Sequence, residues 1–509
     1  MRRAFCLILL LAALAAGTLV GVGRTVHADR AAVQLAEETL YGNADYAEKL
    51  TVRRRATLRG RLYWDIFYVT PAAQDEYVTD PAGDITVNYQ YYPTRQDYFE
   101  YEFGADIGVR MENFLEYGIA NIGHGAVQFF DEMTEPYGLN RAYKELFEST
   151  APGEETEKEV RLADYMDYYP LAVTIGMPDN SGWYSMTENE YQENYLMPGA
   201  EEDEWCRTFV DFRQFFRIPV LEDERVTLSV GKRMDGSLGT MGSGTGNGDS
   251  FYLEPISAWT EQQQAIWFTF GTHSAQGKVV DTSLIPGGYG IYKLPYMTLE
   301  EMDQKGLATT ADSGRLEMVY AIDPQHYVKT MFFHQPTGRL LLVTLEDGVG
   351  WLTVIDPTTM TDTQRVEIGP WEPGHNGFVE DCGRFLVLRT SRNQVAVITV
   401  QPDGSYRLEF VTPLPTGEEK ETYSYYVAPD CDFDFDGEKL AVGREMHARY
   451  YGENKDFWLM VYTADGLQYV GEYTSSLYAG GSQTNWNYYA EEISLDVAWN
   501  DRAEWLQGA

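Results

Sequence analysis

Asp432, Asp434 and Asp436, followed by Gly437, open a D-x-D-x-D-G pattern, in which alternate carboxylates can turn toward one cation while the glycine admits a sharp turn. The pattern does not close. The twelfth position, where a calcium loop wants a bidentate acid, is Gly443, and the ninth, where shorter loops want Asp, is Leu440. Alternating Asp and Phe is equally the pattern of a half-buried strand, with Phe433 and Phe435 inward and the acids outward, and that reading is preferred. No cofactor is predicted. Calcium is the one metal the spacing at these three residues would admit.

The segment Pro370 to Gly377 gathers an aromatic platform, an acid and an imidazole within one loop. Trp371, Glu372, His375 and Asn376 are therefore the candidate ligand-binding residues: the indole face could stack on a sugar or peptide, and the polar three could fix its hydroxyls or amides. The competing reading is a Trp and Pro pair packed against a neighbouring sheet. Other chemistry finds less support. The stretch Gly236 to Gly248 holds six glycines but neither a strict G-x-G-x-x-G nor a following Lys-Ser or Lys-Thr, and reads as a flexible surface loop. Seven histidines form no H-E-x-x-H or other compact metal pattern, and Gly480-Gly481-Ser482 lacks the closing glycine of a nucleophile elbow. No catalytic residue is assigned. The chain has 37 Tyr and 11 Trp, clustered at Tyr89 to Tyr92, Tyr165 to Tyr169, Tyr423 to Tyr426 and Trp486 to Tyr489, which suits recognition surfaces as well as sheet packing.

The elements that must carry these residues read as strands. Three segments superimpose. The first runs Pro336 to Val343, Trp351 to Pro357 and Gln364 to Ile368; the second Asp381 to Leu388, Val395 to Val400 and Tyr406 to Phe410; the third Asp436 to Val442, Phe457 to Tyr462 and Gln468 to Tyr473. Gly338 to Gly383 is 45 positions and Gly383 to Glu438 is 55, a period near 50. Each copy offers short β-branched and aromatic strands separated by Gly, Asp or Pro turns, a small antiparallel sheet that cannot bury both its faces alone. Stacking such sheets radially covers them. The stretch Phe433 to Val442 resembles the inner hairpin of the broad WD40, TolB and YVTN propeller superfamily, and Asp381 to Leu388 and Pro336 to Val343 repeat it less sharply. The resemblance spans residues 320–500, where no WD dipeptide or YVTN tetrapeptide closes a blade, so it implies a fold and no activity.

Further strands are expected at Arg61 to Thr70, Ile85 to Tyr92, Tyr98 to Phe103, Leu171 to Ile175, Val226 to Val230 and Trp267 to Phe270, with short helical insertions at Leu139 to Glu148 and Leu299 to Lys305. The expectation is an all-β β-propeller of seven or eight blades over residues 51–509, preceded by a linker with a short helix over 29–50. Its last sheet is expected to join Ile493 to Trp499 with residues near Thr51 to Tyr68. Cys206, Cys382 and Cys431 are too few for a disulfide framework; a Cys382–Cys431 bridge is conceivable and is not the preferred reading.

Arg2 and Arg3 precede an apolar run, Ala4 to Val22, and Val26-His27-Ala28 offers a cleavage site, so residues 1–28 read as a signal peptide or, uncleaved, a membrane anchor. Both place the rest outside the cytoplasm, secreted or associated with the envelope. Removing those residues takes three arginines and no acid and moves the net charge from −39 to −42. So acidic a chain excludes nonspecific nucleic-acid binding and contact with acidic lipid beyond the N-terminal segment. The sequence thus describes an exported, monomeric, noncatalytic binding module for a carbohydrate, a peptide or an envelope protein. A glycan-active hydrolase or lyase and a membrane-tethered structural or sensory ectodomain are the alternatives.

Overall fold

The computed structural model describes residues 11–18, 20–21, 35–58, 62–69, 85–91, 106–111, 138–176, 183–196, 201–245, 255–260, 264–273, 277–297, 300–301, 304, 312–371, 377–391, 393–415, 427–429, 431–445, 457–475 and 490–499. The strands in chain order begin with β1 (Leu35–Gly42), β2 (Leu50–Leu58), β3 (Leu62–Val69), β4 (Ile85–Tyr91) and β5 (Asp106–Met111). There follow β6 (Glu155–Arg161), β7 (Leu171–Gly176), β8 (Trp183–Thr187), β9 (Arg225–Lys232) and β10 (Leu238–Thr245). Next come β11 (Pro255–Thr260), β12 (Ala265–Phe270), β13 (Gly290–Pro295) and β14 (Glu317–Ala321), then β15 (Tyr327–His334), β16 (Arg339–Glu346), β17 (Val349–Asp356) and β18 (Thr361–Pro370). The last are β19 (Val379–Asp381), β20 (Phe385–Ser391), β21 (Gln394–Val400), β22 (Tyr406–Pro413), β23 (Asp432–Phe435), β24 (Leu440–Glu445), β25 (Phe457–Thr463), β26 (Gly466–Ser475) and β27 (Ala490–Trp499). Helices α1 (Leu139–Ser149), α2 (Glu188–Tyr195) and α3 (Glu204–Phe215) lie between strands.

The fold is all-β and of the β-propeller class. The described strands form seven small antiparallel sheets, and β11–β14, β15–β18, β19–β22 and β23–β26 are consecutive four-stranded meanders. The last three are the repeat read from the sequence. Each sequence copy supplied the second, third and fourth strands; the first, β15, β19 or β23, precedes it and pairs antiparallel with the second. The central strands are buried nearly throughout because both their faces are covered, so they read as continuous apolar runs such as Leu340 to Val343 and Leu459 to Tyr462.

Two compact units emerge, one of Met1–Glu100 with His375–Ala509 and the other of Tyr101–Gly374. In the first, β27 pairs with β2 in the sheet β27-β2-β3-β4, as expected for the closing sheet. A second N-terminal strand also joins a C-terminal sheet. β1 pairs with the outer edge of β26, so 29–50 is more than a linker: it carries a strand as well as a short helical turn at Ala44–Ala47, capped by the Asn43 side chain accepting from the Asp45 N–H at 3.1 Å. The edge of β26 left open by its own meander explains why these residues order as β structure. In the second unit, β11 contacts both β5 and β15. Phe216, Phe268, Phe270 and Tyr292 form its aromatic centre, with Phe270 stacked on Tyr292 at 5.9 Å and Phe216 edge-on to it at 4.9 Å.

Two local outcomes differ from the sequence reading. The glycine-rich stretch is no loop over 238–245 but strand β10, paired with β9; a Cβ on Gly242 would lie 2.7 Å from Ser229 Oγ, so that hydroxyl would have to turn aside. Helices α2 and α3 fall where no element was expected, whereas α1 lies as expected. The strand expected at 98–103 and most of the helix expected at 299–305 lie outside the described residues. Among the described residues no helix is long and apolar enough to cross a membrane, and residues 11–18 of the N-terminal segment are helical.

In the first unit β24 sits against β27. A Cβ on Gly443 would lie 2.5 Å from Val497 Cγ1 and 3.1 Å from Leu495 Cδ2. Gly443→Ala is therefore expected to destabilise the protein by about 1–3 kcal/mol through overpacking, read from the shift of the denaturant midpoint; an unchanged midpoint would show that the two strands do not meet as described.

Candidate functional site

The three aspartates of the D-x-D-x-D-G pattern are occupied by backbone donors. Phe433 and Phe435 are buried, as the strand reading required, but Asp432 and Asp434 are also withdrawn from solvent. Asp432 Oδ2 accepts the Val497 N–H. Asp434 Oδ2 accepts the Trp499 N–H at 2.8 Å, while its Oδ1 takes the Phe435 N–H at 2.9 Å and Arg384 at 3.3 Å. Val497 and Trp499 are alternate residues of an edge strand, so their N–H groups point the same way, out of the sheet that β27 forms with β2. Alternate carboxylates on β23 meet alternate donors on β27. Asp436 instead closes its own turn, accepting from Glu438 N at 2.8 Å and Lys439 N at 2.7 Å. Burial, with Asp496 and Asp434 adding to it, pushes the Asp432 carboxyl up to about 7. No group of three or more metal-ligating side chains occurs among the described residues.

Of the loop 370–377, Trp371 is described and Glu372, His375 and Asn376 lie outside the described residues. Trp371 is 2% exposed; its backbone N–H bonds to Gly348 O at 2.8 Å, and a Cβ on Gly350 would lie 2.7 Å from its Cε3. Its ring lies over Gly350 of the preceding sheet, with Lys329 Nζ 5.7 Å from the ring centroid. Cys206, Cys382 and Cys431 are free thiols. Cys431 lies in an apolar cluster with Cys382 packed against it, and burial pushes the Cys382 thiol well above its ordinary value.

A cleft of about 650 Å³ opens in the second unit around the cluster Tyr165 to Tyr169. Its walls come from three separate places in the sequence. α1 offers Arg141 on its outer side because Leu139, Ala142, Tyr143 and Leu146, at helical spacing, are buried. α3 is started by Asp203, whose side chain accepts the Cys206 N–H at 2.8 Å, and buries Cys206, Phe209 and Phe212, leaving Arg213 on the open side. α2 begins in a reciprocal cap between Thr187 and Glu190. Glu188 in its first turn, 4% exposed, takes Arg213 Nε at 2.7 and 3.0 Å and so ties the two helices together.

The floor is rigid. Tyr168 bridges to Pro219, the Tyr169 N–H bonds to Ile218 O at 2.9 Å and the Val220 N–H to Asp167 O at 3.2 Å, so the tyrosine segment and the chain after α3 form a short ribbon. Beneath it the buried Tyr169 hydroxyl donates to Glu224 and accepts from Leu221 N at 3.2 Å. Desolvation raises the Tyr169 pKa, and Glu224 raises it further. At the rim, the Arg161 guanidinium beside Asp164 holds that carboxyl below its ordinary range. Arg141 donates to Asp164 O and lies 4.9 Å from the Tyr165 ring centroid, covering one face of it. Tyr168 is left 43% exposed. Arg217 and Asp167 also line the cleft, and among the described residues neither side chain has a hydrogen bond or ion pair. A broader cleft of about 710 Å³ in the first unit is lined mostly by turn residues, among them the exposed Asp45, Glu438 and Asp465 and the half-buried Lys439.

Sequence reading found the tyrosine cluster and missed the arginines. Thr187 with Glu190, and Asp203 ahead of the 206, 209, 212 spacing, are start signals that could have placed α2 and α3. Nothing local marks Arg141 as a neighbour of Arg213.

No protein-family model matches the sequence, and no curated protein matches it. Among solved structures the chain is similar to a periplasmic gluconolactonase from Pseudomonas aeruginosa, at 10% identity over 88% of this chain and 99% of that one with a TM-score of 0.27. It is also similar to a putative 6-phosphogluconolactonase from Bacteroides fragilis, at 10% identity over 82% and 93% with a TM-score of 0.28. A β-propeller domain from Myceliophteria thermophila matches at 10% identity over 49% and 82% with a TM-score of 0.21. Similarity at this level assigns no activity.

Two outcomes follow from these geometries. Because the folded Asp432 carboxyl is raised to about 7, its protonated form favours folding below its ordinary value near 4, and that contribution is lost as pH rises through about 7. Asp432→Asn keeps an oxygen for Val497 N–H and is expected to flatten the decline of stability over that window in urea titrations at stepped pH. Glu188→Ala leaves Arg213 without its acceptor and is expected to cost about 1–2 kcal/mol; double-mutant comparison with Arg213→Ala should show the two changes to be less than additive.

Proposed function

We propose that the chain is an exported, noncatalytic β-propeller binding module that seats a polar, saccharide-sized ligand in the cleft around Tyr165 to Tyr169. The observation that carries this reading is the cleft itself: it falls within the roughly 300–1,000 Å³ of small-ligand sites. A backbone ribbon holds it open, and Tyr168 stands at its mouth with much of its ring exposed. A tyrosine supplies apolar stacking area and a hydroxyl at little entropic cost, which suits the alternating apolar and polar faces of a sugar ring.

The state of the carboxylates supports binding over hydrolysis. Glycoside hydrolysis needs one carboxyl held as a proton donor beside a second that is ionised. In the cleft Asp164 is paired with Arg161 and Glu188 with Arg213, both as acceptors, an arrangement that fixes walls. Export rests on Arg2, Arg3 and the apolar run Ala4 to Val22 with its small-residue end at Ala28.

The reading is tested on the chain from Asp29 by thermal melts and calorimetric titration against soluble oligosaccharides. A binding saccharide is expected to raise the melting midpoint, and Tyr168→Ala to weaken it by about tenfold, or roughly 1.4 kcal/mol, without lowering the midpoint of the free protein. Binding undiminished by Tyr168→Ala would move the site elsewhere, and silence across neutral and acidic saccharides would overturn the reading.

A further inference from the structure

We infer that the ligand of this cleft is a carboxylated saccharide, a short oligosaccharide containing uronic acid, and that Arg217 is the group that pairs with its carboxylate. The inference rests on the binding-module reading and names the ligand class for the same site.

Three guanidiniums line the cleft, in a chain of net charge −39 with only 39 basic side chains. Arg213 spends its Nε on both oxygens of Glu188. Arg141 donates to a main-chain oxygen and lies over Tyr165. Asp164 is satisfied from outside by Arg161, through Nε at 3.0 Å and also through Nη2. With these pairs set aside, Glu188 and Asp164 are neutralised, and Arg217 and Asp167 remain uncommitted among the described residues. Arg141 adds a second positive charge that no carboxylate contacts directly. Arg217 follows directly on Phe216, which is buried in the aromatic centre, and precedes the buried Ile218, so its backbone is fixed while its head is exposed.

An exposed guanidinium on a fixed base is a planar fork, matched to the two oxygens of a carboxylate. Asp167, across the same tyrosine segment, can only accept and so calls for hydroxyl donors on the ligand. Tyr168 offers a ring face between them in sequence. One carboxylate, several hydroxyls and an apolar ring face together describe a sugar acid. A simple anion would leave Asp167 facing like charge, and a neutral sugar would leave Arg217 unpaired.

The experiment compares trisaccharides of galacturonate, glucuronate and mannuronate with their methyl esters, and with a glutamate-rich hexapeptide, by titration calorimetry on the chain from Asp29. At least one acid is expected to bind at least tenfold tighter than its ester and to weaken as salt is raised. Arg217→Gln should remove that tenfold preference, weakening the acid at least tenfold more than the ester, with the melting midpoint unchanged; Arg217→Lys should restore only part of it, because the charge returns without the fork. Esters binding as well as acids, or a preference that survives Arg217→Gln, would overturn the inference and leave the binding module standing. Binding of the peptide alone would overturn the saccharide assignment. Binding of neither acids nor esters would overturn both readings.

Discussion

A sheet of three or four short strands has two faces and two edges to hide, and no strand sequence hides all of them from within. That constraint organises this molecule. Both faces are covered, which is why β16, β20 and β25 are buried along nearly their whole length and do not alternate. The edges need separate solutions, and in the first unit two are visible. β26 receives β1 as a fifth strand. β27 presents the N–H groups of Val497 and Trp499, and two aspartates of the adjacent sheet accept them. An edge strand satisfied by side chains is closed to pairing with another chain, and the same contacts fix the register of β23 against β27.

This use of the aspartates explains why a metal pattern is present in part. Binding a cation and satisfying alternate backbone donors make the same demand on a strand: carboxylates two residues apart, directed to one side. A calcium loop adds ligands farther along to complete the coordination sphere. Here Leu440 and Gly443 stand at those positions, and each serves packing. Leu440 is fully buried, and Gly443 has no room for a Cβ beside Val497.

How much of this was legible follows from how local each signal is. The three C-terminal repeats were readable because strand composition and turn residues are properties of neighbours in sequence. Of the opening strands, β23 was legible through its alternating Asp and Phe, whereas β19 has three residues, too short for periodicity to register. The glycines of β10 read as a loop because glycine serves loops and strands alike, and pairing with β9 decides between them from another part of the chain. The cleft was half legible. Tyr165 to Tyr169 lie together in the chain and were visible as a cluster, whereas Arg141 and Arg213 reach it from α1 and α3 and stand 72 positions apart in the sequence. Their shared cleft depends on the ribbon between the tyrosine segment and residues 218–220, which no spacing announces.

The cleft shows how sparingly positive charge is placed in an acidic chain. With two acids for every base, most carboxylates face water, where mutual repulsion favours solubility and is screened within roughly 8–10 Å at physiological salt. The few arginines then have disproportionate effect where they are placed. Arg161 and Arg213 neutralise the carboxylates that shape the cleft, so its walls hold without like-charge strain. Elsewhere an anion meets net negative charge; at the cleft Asp164 and Glu188 are neutralised by their arginines, and Arg141 and Arg217 stand beside Asp167. Selectivity of that kind needs the acidic surround as much as the basic site, because discrimination is a difference between the favoured contact and every disfavoured one. The strongly negative composition, bland as a sign of solubility alone, thereby becomes part of how a single uncommitted arginine could be specific.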